Sequence, residues 1–243
     1  MAIIELKNVT FSAQNDLIVD GVSCSFEEGK TTALVGPSGS GKSTVLKLAA
    51  GILVPNSGEV YFMDNDIFHM TRQENLDFRL QASMVFQDSA LWANQSLFQI
   101  LELPLRIHFP AMTGKERKER IDEVLKEVGY KRSLTIRPSM LSMGEQKLIG
   151  FARALMCNPK LLFLDEWTES LDDSAAKRLI QFVRRHRQEQ KTAIFVSHDF
   201  DIIRSLADYI IMIVKGKVYV SLSRKQMDED EELIKMVERG IAS

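Results

Sequence analysis

Only two cysteines, Cys24 and Cys157, occur in 243 residues. They stand far apart and form no metal-ligand pair, which excludes a disulfide framework and a thiolate metal site. Two free, buried thiols suit a reducing cytosol. Net charge is nearly absent too. The 31 basic and 33 acidic residues leave a balance of −2, which gives no electrostatic footprint for nucleic acid. Apolar runs are short: the longest candidate, Tyr209–Val214, falls far below the ~20 residues that span a bilayer. Met1–Thr10 alternates like a strand and lacks the basic-then-apolar order of a signal peptide. A role at a membrane would therefore run through partners. Internal repeats and low-complexity segments are missing as well. What remains is 45% hydrophobic and 26% charged, an ordinary globular balance in a chain long enough to bury a sizeable α/β core.

The periodicity predicts strands and helices in alternation. Ile3, Ile4, Leu6 and Val9 lie in a β-like run. Thr31–Val35 is a short apolar strand that enters a glycine-rich turn. Val45, Leu46, Leu48, Ala49 and Ile52 make one helical face over Lys42–Leu53. Val60–Met63 and Ser83–Phe86 read as strands, and Leu161–Leu164 and Ala193–Val196 as buried parallel strands. Between them the character changes to an apolar stretch, Leu97–Leu103, and a charged amphipathic helix, Gly114–Gly129. The expected fold is a parallel-sheet core of the α/β class with a helical insert. The boundaries are core 1–87 and 158–243, insert 88–157, in one domain over 1–243. Asp228–Ser243 reads as an acidic turn and a helix.

Two motifs carry chemistry. The nine residues Gly36, Pro37, Ser38, Gly39, Ser40, Gly41, Lys42, Ser43 and Thr44 include a full match to G-x-x-x-x-G-K-[ST]. The match sits between a strand and a helix, where backbone N–H groups and a helix N-terminus can cradle phosphate. Lys42 would reach the β- and γ-phosphates and Ser43 would bind Mg2+. Leu161–Glu166 is an apolar strand that ends in two carboxylates. Asp165 is expected to hold Mg2+ through water, and Glu166 to orient and polarise the attacking water.

The order of phosphate loop, Phe86-Gln87, Leu141-Ser-Met-Gly-Glu145, Leu164-Asp-Glu166, Ser170-Leu-Asp172 and Ser197-His198 resembles the ABC transporter ATPases over nearly the whole chain. That resemblance implies a P-loop core with an N-terminal antiparallel β region and an inserted α-helical subdomain. It implies MgATP as ligand, a head-to-tail dimer with a second ATPase subunit, and an integral-membrane permease at the cytoplasmic face of the inner membrane. Gln87 looks like the glutamine that senses Mg2+ and the attacking water. Ser142 and Gly144 look like the signature residues that contact ATP held by the opposite subunit. Asp172 resembles the aspartate that communicates across the dimer, and His198 the histidine at the γ-phosphate.

Three positions depart from the family pattern. Met143 and Glu145 stand where the signature usually has glycine and glutamine, adding bulk and a negative charge. Trp167 replaces the proline that commonly follows the glutamate. Ala13 cannot stack on adenine, which leaves Phe11, on the same strand face, as the substitute. Asp88–Trp92, Leu103–Arg106 and the tail Met236–Ala242 resemble the ATPases of Mce/Mla-type lipid transport systems. An amino-acid or other small-molecule importer, a lipoprotein exporter and a cell-division ATPase remain as alternatives.

Overall fold

A computed structural model describes residues 1–229, with 235, 237 and 238. Most of the tail at 230–243 lies outside the described residues, including Met236 and the stretch 239–243.

Two sheets form the frame. Strands β1 (Ala2–Ala13), β2 (Asp16–Glu27), β4 (Ser57–Phe62) and β5 (Asn65–Asp66) make a four-stranded antiparallel sheet in the order β2-β1-β4-β5. The second sheet has six strands. Its order is β10 (Lys217–Ser223), β9 (Tyr209–Val214), β3 (Thr31–Val35), β8 (Thr192–Val196), β7 (Leu161–Asp165) and β6 (Ala82–Val85). Only the β9–β10 pair is antiparallel. The expected antiparallel region and parallel core are both present.

Every residue of β3, β7 and β8 is buried, which explains why these strands read as continuous apolar runs. Their period of two feeds two cores. Leu162, Leu164 and Phe195 face one core, and Leu161, Phe163 and Ile194 the other. The first core continues into the helical segment, through α3 (Leu97–His108), α4 (Gly114–Val128) and α5 (Met143–Leu155). The second is closed by α1 (Lys42–Ala49), α2 (Arg72–Gln81) and the antiparallel sheet.

Helix starts follow a local code. Thr71 with Glu74, Ser96 with Gln99, Thr113 with Glu116 and Ser142 with Glu145 each close a capping box. The start of α1 differs: Gly41 caps nothing with a side chain, which leaves its first N–H groups free for a ligand. That helix ends at Ala49, earlier than periodicity suggests. The Ile52 and Leu53 N–H groups both turn back to the Lys47 carbonyl, which closes the helix. Both cysteines are free and half-buried rather than fully buried. Burial raises the thiol pKa of Cys24 to about 12 and that of Cys157 to about 11, so both are inert as nucleophiles.

Candidate functional site

The parallel order of β3, β8, β7 and β6 puts four carboxyl ends side by side, where open α/β sheets gather ligands. The loop Gly36–Gly41 leaves β3, Ser197-His198 leaves β8, Asp165-Glu166 ends β7 and Gln87 follows β6. Ser38–Thr44, Gln87, Glu166 and His198 line one cavity of about 410 Å3.

The loop is shaped by backbone that a side chain would block. A Cβ on Gly36, at φ 140°, would lie 2.0 Å from the Ile213 carbonyl oxygen. Lys42 Nζ donates to the carbonyls of Gly36 and Pro37, each at 2.8 Å, and so closes the loop on itself. Burial lowers the Lys42 pKa, and the nearby Glu166 and Asp165 carboxylates oppose that shift.

Asp165 is fully buried. Ser43 Oγ donates to its Oδ1 at 2.7 Å, and Lys47 Nζ stands 3.8 Å from Oδ2. Oδ2 accepts no hydrogen bond, nor does Glu166 Oε1. Buried carboxylate oxygens without donors are costly, so this pair is suited to a cation. Ser43, Asp165 and Gln87 offer oxygen donors of the kind Mg2+ accepts. The residues fit MgATP. Among the described residues no cluster of three His, Cys, Asp or Glu could hold a metal by itself.

Glu166 has φ 43°, a left-handed backbone that costs a non-glycine residue about 1–2 kcal/mol. Its carboxylate lies 3.2 Å from His198 Nε2, without hydrogen-bond alignment. Burial raises the Glu166 pKa, opposed by His198 and reinforced by Asp165. A desolvated carboxylate at the mouth of a phosphate cavity can accept a proton from water. Gln87 lines the cavity, and its Nε2 donates to Glu169 Oε2 at 3.4 Å.

Ser142, Gly144 and Asp172 do not line this cavity. Ser142 caps α5, and its Oγ accepts from Glu145 N at 3.2 Å. Gly144 packs so closely that a Cβ would meet the Ser170 carbonyl oxygen at 2.7 Å. Asp172 caps α6 (Asp173–Gln188), accepting from Ala175 N at 2.9 Å. The charge of Glu145 is not free: it accepts from Ser142 N at 2.9 Å and pairs with Arg132 at 2.9 Å. Met143 is 72% exposed. Trp167 is wholly buried and packs on Phe151 of α5, with ring centroids 5.9 Å apart, so it fills the core rather than the site.

Phe11 is half-buried against the second core, and the apolar wall of the cavity is Ile18 of β2. Lys47, Lys147, Glu169 and Ile18 carry no motif signal, and only the fold brings them to the site.

A phosphate-cradling loop, two buried carboxylates and a histidine at the edge of a parallel sheet define a P-loop nucleotide hydrolase. The chain belongs to the ABC transporter ATPase family, whose model, ABC transporter, matches residues 19–169. It is an ATPase that takes ATP with Mg2+, and cassettes of this family form dimers and pair with membrane permeases. The intermembrane phospholipid transport ATP-binding protein MlaF of Haemophilus influenzae is 32% identical over 232 residues, 95% of this chain and 88% of that protein. The methionine import ATP-binding protein MetN of Corynebacterium diphtheriae is 34% identical over 206 residues, 84% of this chain but 60% of that protein. Among solved structures, the ATP-binding cassette MJ0796 bound to ADP and Pi superposes with a TM-score of 0.83 at 30% identity. That match covers 91% of this chain and 98% of that one.

Proposed function

We propose that this chain is the motor of a bacterial envelope lipid transporter, a head-to-tail homodimer on the cytoplasmic face of the inner membrane beneath an integral permease. The observation that carries the lipid cargo is coverage. The match to MlaF spans nearly the full length of both chains, whereas the match to MetN spans 60% of a longer protein. Among the described residues no helix is long and apolar enough to cross a membrane, and in this reading the permease is the partner that crosses it. A groove of about 470 Å3 lined by Ile52, Trp92, Leu103 and Ile107 offers it an apolar seat.

In this reading Gly36–Thr44 bind the phosphates, and Ser43, Asp165 and Gln87 serve Mg2+. Glu166 accepts the proton of the attacking water, and His198 steadies the γ-phosphate. Ser142 and Gly144 lie outside their own chain's cavity, which supports a role at the ATP of the opposite subunit. Asp172 joins the two sites. ATP closes the dimer, and closure is transmitted through the groove to the permease.

Met143 stands at that closing face. Ordering one flexible side chain at an interface costs about 0.5–1.5 kcal/mol. Met143→Gly is therefore expected to raise ATPase turnover of the assembled transporter by about two- to tenfold. A steady-state phosphate-release assay checks this, and an equal or lower rate would make Met143 a useful contact instead.

The cargo is tested by purifying the native complex and identifying its subunits and bound small molecules by mass spectrometry. The expected result is a permease with phospholipid above detergent background. A periplasmic amino-acid-binding partner without such lipid would end the lipid reading and leave a transporter motor of another substrate class.

A further inference from the structure

Lys147 lies on α5 and is only 3% exposed, so its ammonium is held inside the protein. It donates to the Gln87 carbonyl and, at 3.1 Å, to the Glu166 carbonyl. These carbonyls belong to different loops, one after β6 and one after β7. Burial lowers the Lys147 pKa, and the carboxylates of Glu169, Asp165, Glu166 and Asp88 oppose that shift. A buried cation needs such partners to remain charged.

The backbone of Glu166 is the strained one, at φ 43°. Its N–H donates to the Val196 carbonyl at 3.2 Å, and its carbonyl accepts from Lys147 at 3.1 Å and from the Glu169 N–H at 3.3 Å. Its N–H is thus held by β8, and its carbonyl by its own turn and, from outside, by the ammonium on α5. The direction of the carboxylate follows from that backbone.

We propose that Lys147 is a positioning residue for ATP hydrolysis. Anchored on the helix that begins at Ser142 and Gly144, its ammonium pins the backbones of Gln87 and Glu166 together. A shift of α5 therefore moves both. Engagement of the α5 N-terminus by a second copy of the chain would then be felt at the water-activating carboxylate. The alternative is that Lys147 merely fills space, and a methionine would fill that space as well. This contrast sets the experiment.

The proposal rests on Glu166 carrying the hydrolysis, so Glu166→Gln is assayed beside Lys147→Met and Lys147→Gln in the full chain with its membrane partners. Lys147→Met is expected to lower kcat on the order of 10- to 100-fold, the scale of losing hydrogen bonds from a charged donor. The Kd for MgATP, read with a fluorescent nucleotide, should stay within about threefold, because no phosphate contact is lost. Lys147→Gln retains N–H donors and should recover part of the rate. Wild-type kcat in Lys147→Met would overturn the proposal, as would a fall in kcat matched by an equal loss of affinity, or no recovery by glutamine. If Lys147→Met fails to fold, Lys147→Gln decides alone. Reduced kcat with retained Kd supports the proposal, and unchanged kcat overturns it. Normal hydrolysis by Glu166→Gln would remove the site reading and this proposal with it. An inactive Glu166→Gln beside a normal Lys147→Met would remove this proposal only.

Discussion

Glu166→Gln is expected to slow ATP turnover on the order of 100- to 10,000-fold, the usual loss when a general base is removed. Glutamine keeps the shape of the side chain, so the cavity and the strained backbone at φ 43° can persist. What goes is the carboxylate whose pKa burial raises and His198 opposes. Nucleotide binding should survive. Asp165 and Ser43 remain 2.7 Å apart beneath the loop, and one negative charge beside the phosphates has been removed. With binding intact and hydrolysis stopped, the ATP-bound dimer should accumulate. Size exclusion with light scattering in MgATP reads this as a doubling of mass. A monomeric variant that hydrolyses at the normal rate would contradict both the base and the dimer.

Lys42→Ala should act on the other half of the account. Lys42 is buried, and its ammonium bridges the Gly36 and Pro37 carbonyls at 2.8 Å each. Its desolvation lowers its pKa, a cost that polyphosphate charge would offset. Each hydrogen bond to a charged partner is worth about 1.5–3 kcal/mol. Loss of contacts to two phosphates should therefore weaken MgATP binding by at least about 100-fold. Titration with a fluorescent nucleotide measures it. Unchanged affinity, in a variant with an unchanged melting temperature, would end the assignment of the loop.

The strands and the loop were legible because their chemistry is local. Thr31–Val35 is buried throughout and closes on the apolar Ala33, Leu34 and Val35, and the following glycines answer to contacts such as that of Gly36 with the Ile213 carbonyl. The residues that escaped notice depend on distant neighbours. Lys147 sits on a helix where a lysine ordinarily reads as solvated, yet carbonyls from two loops draw it inside. Glu169 meets Gln87 across 82 residues of sequence. Glu145 looked like a loose negative charge, but it closes a capping box and pairs with Arg132. Trp167, in the place of a proline, is explained by Phe151 behind it, a contact set by the helical segment packing on the core.

Magnesium-dependent phosphate release separates hydrolysis at this loop from hydrolysis anywhere else. The chain is purified with its membrane partners and supplied with ATP, with Mg2+ or with EDTA, beside the Lys42→Ala complex. The account predicts steady release from the wild type with Mg2+, none with EDTA, and almost none from Lys42→Ala. Equal release from Lys42→Ala, or release that ignores Mg2+, would mean that hydrolysis does not occur at the loop Gly36–Thr44 and its paired carboxylates.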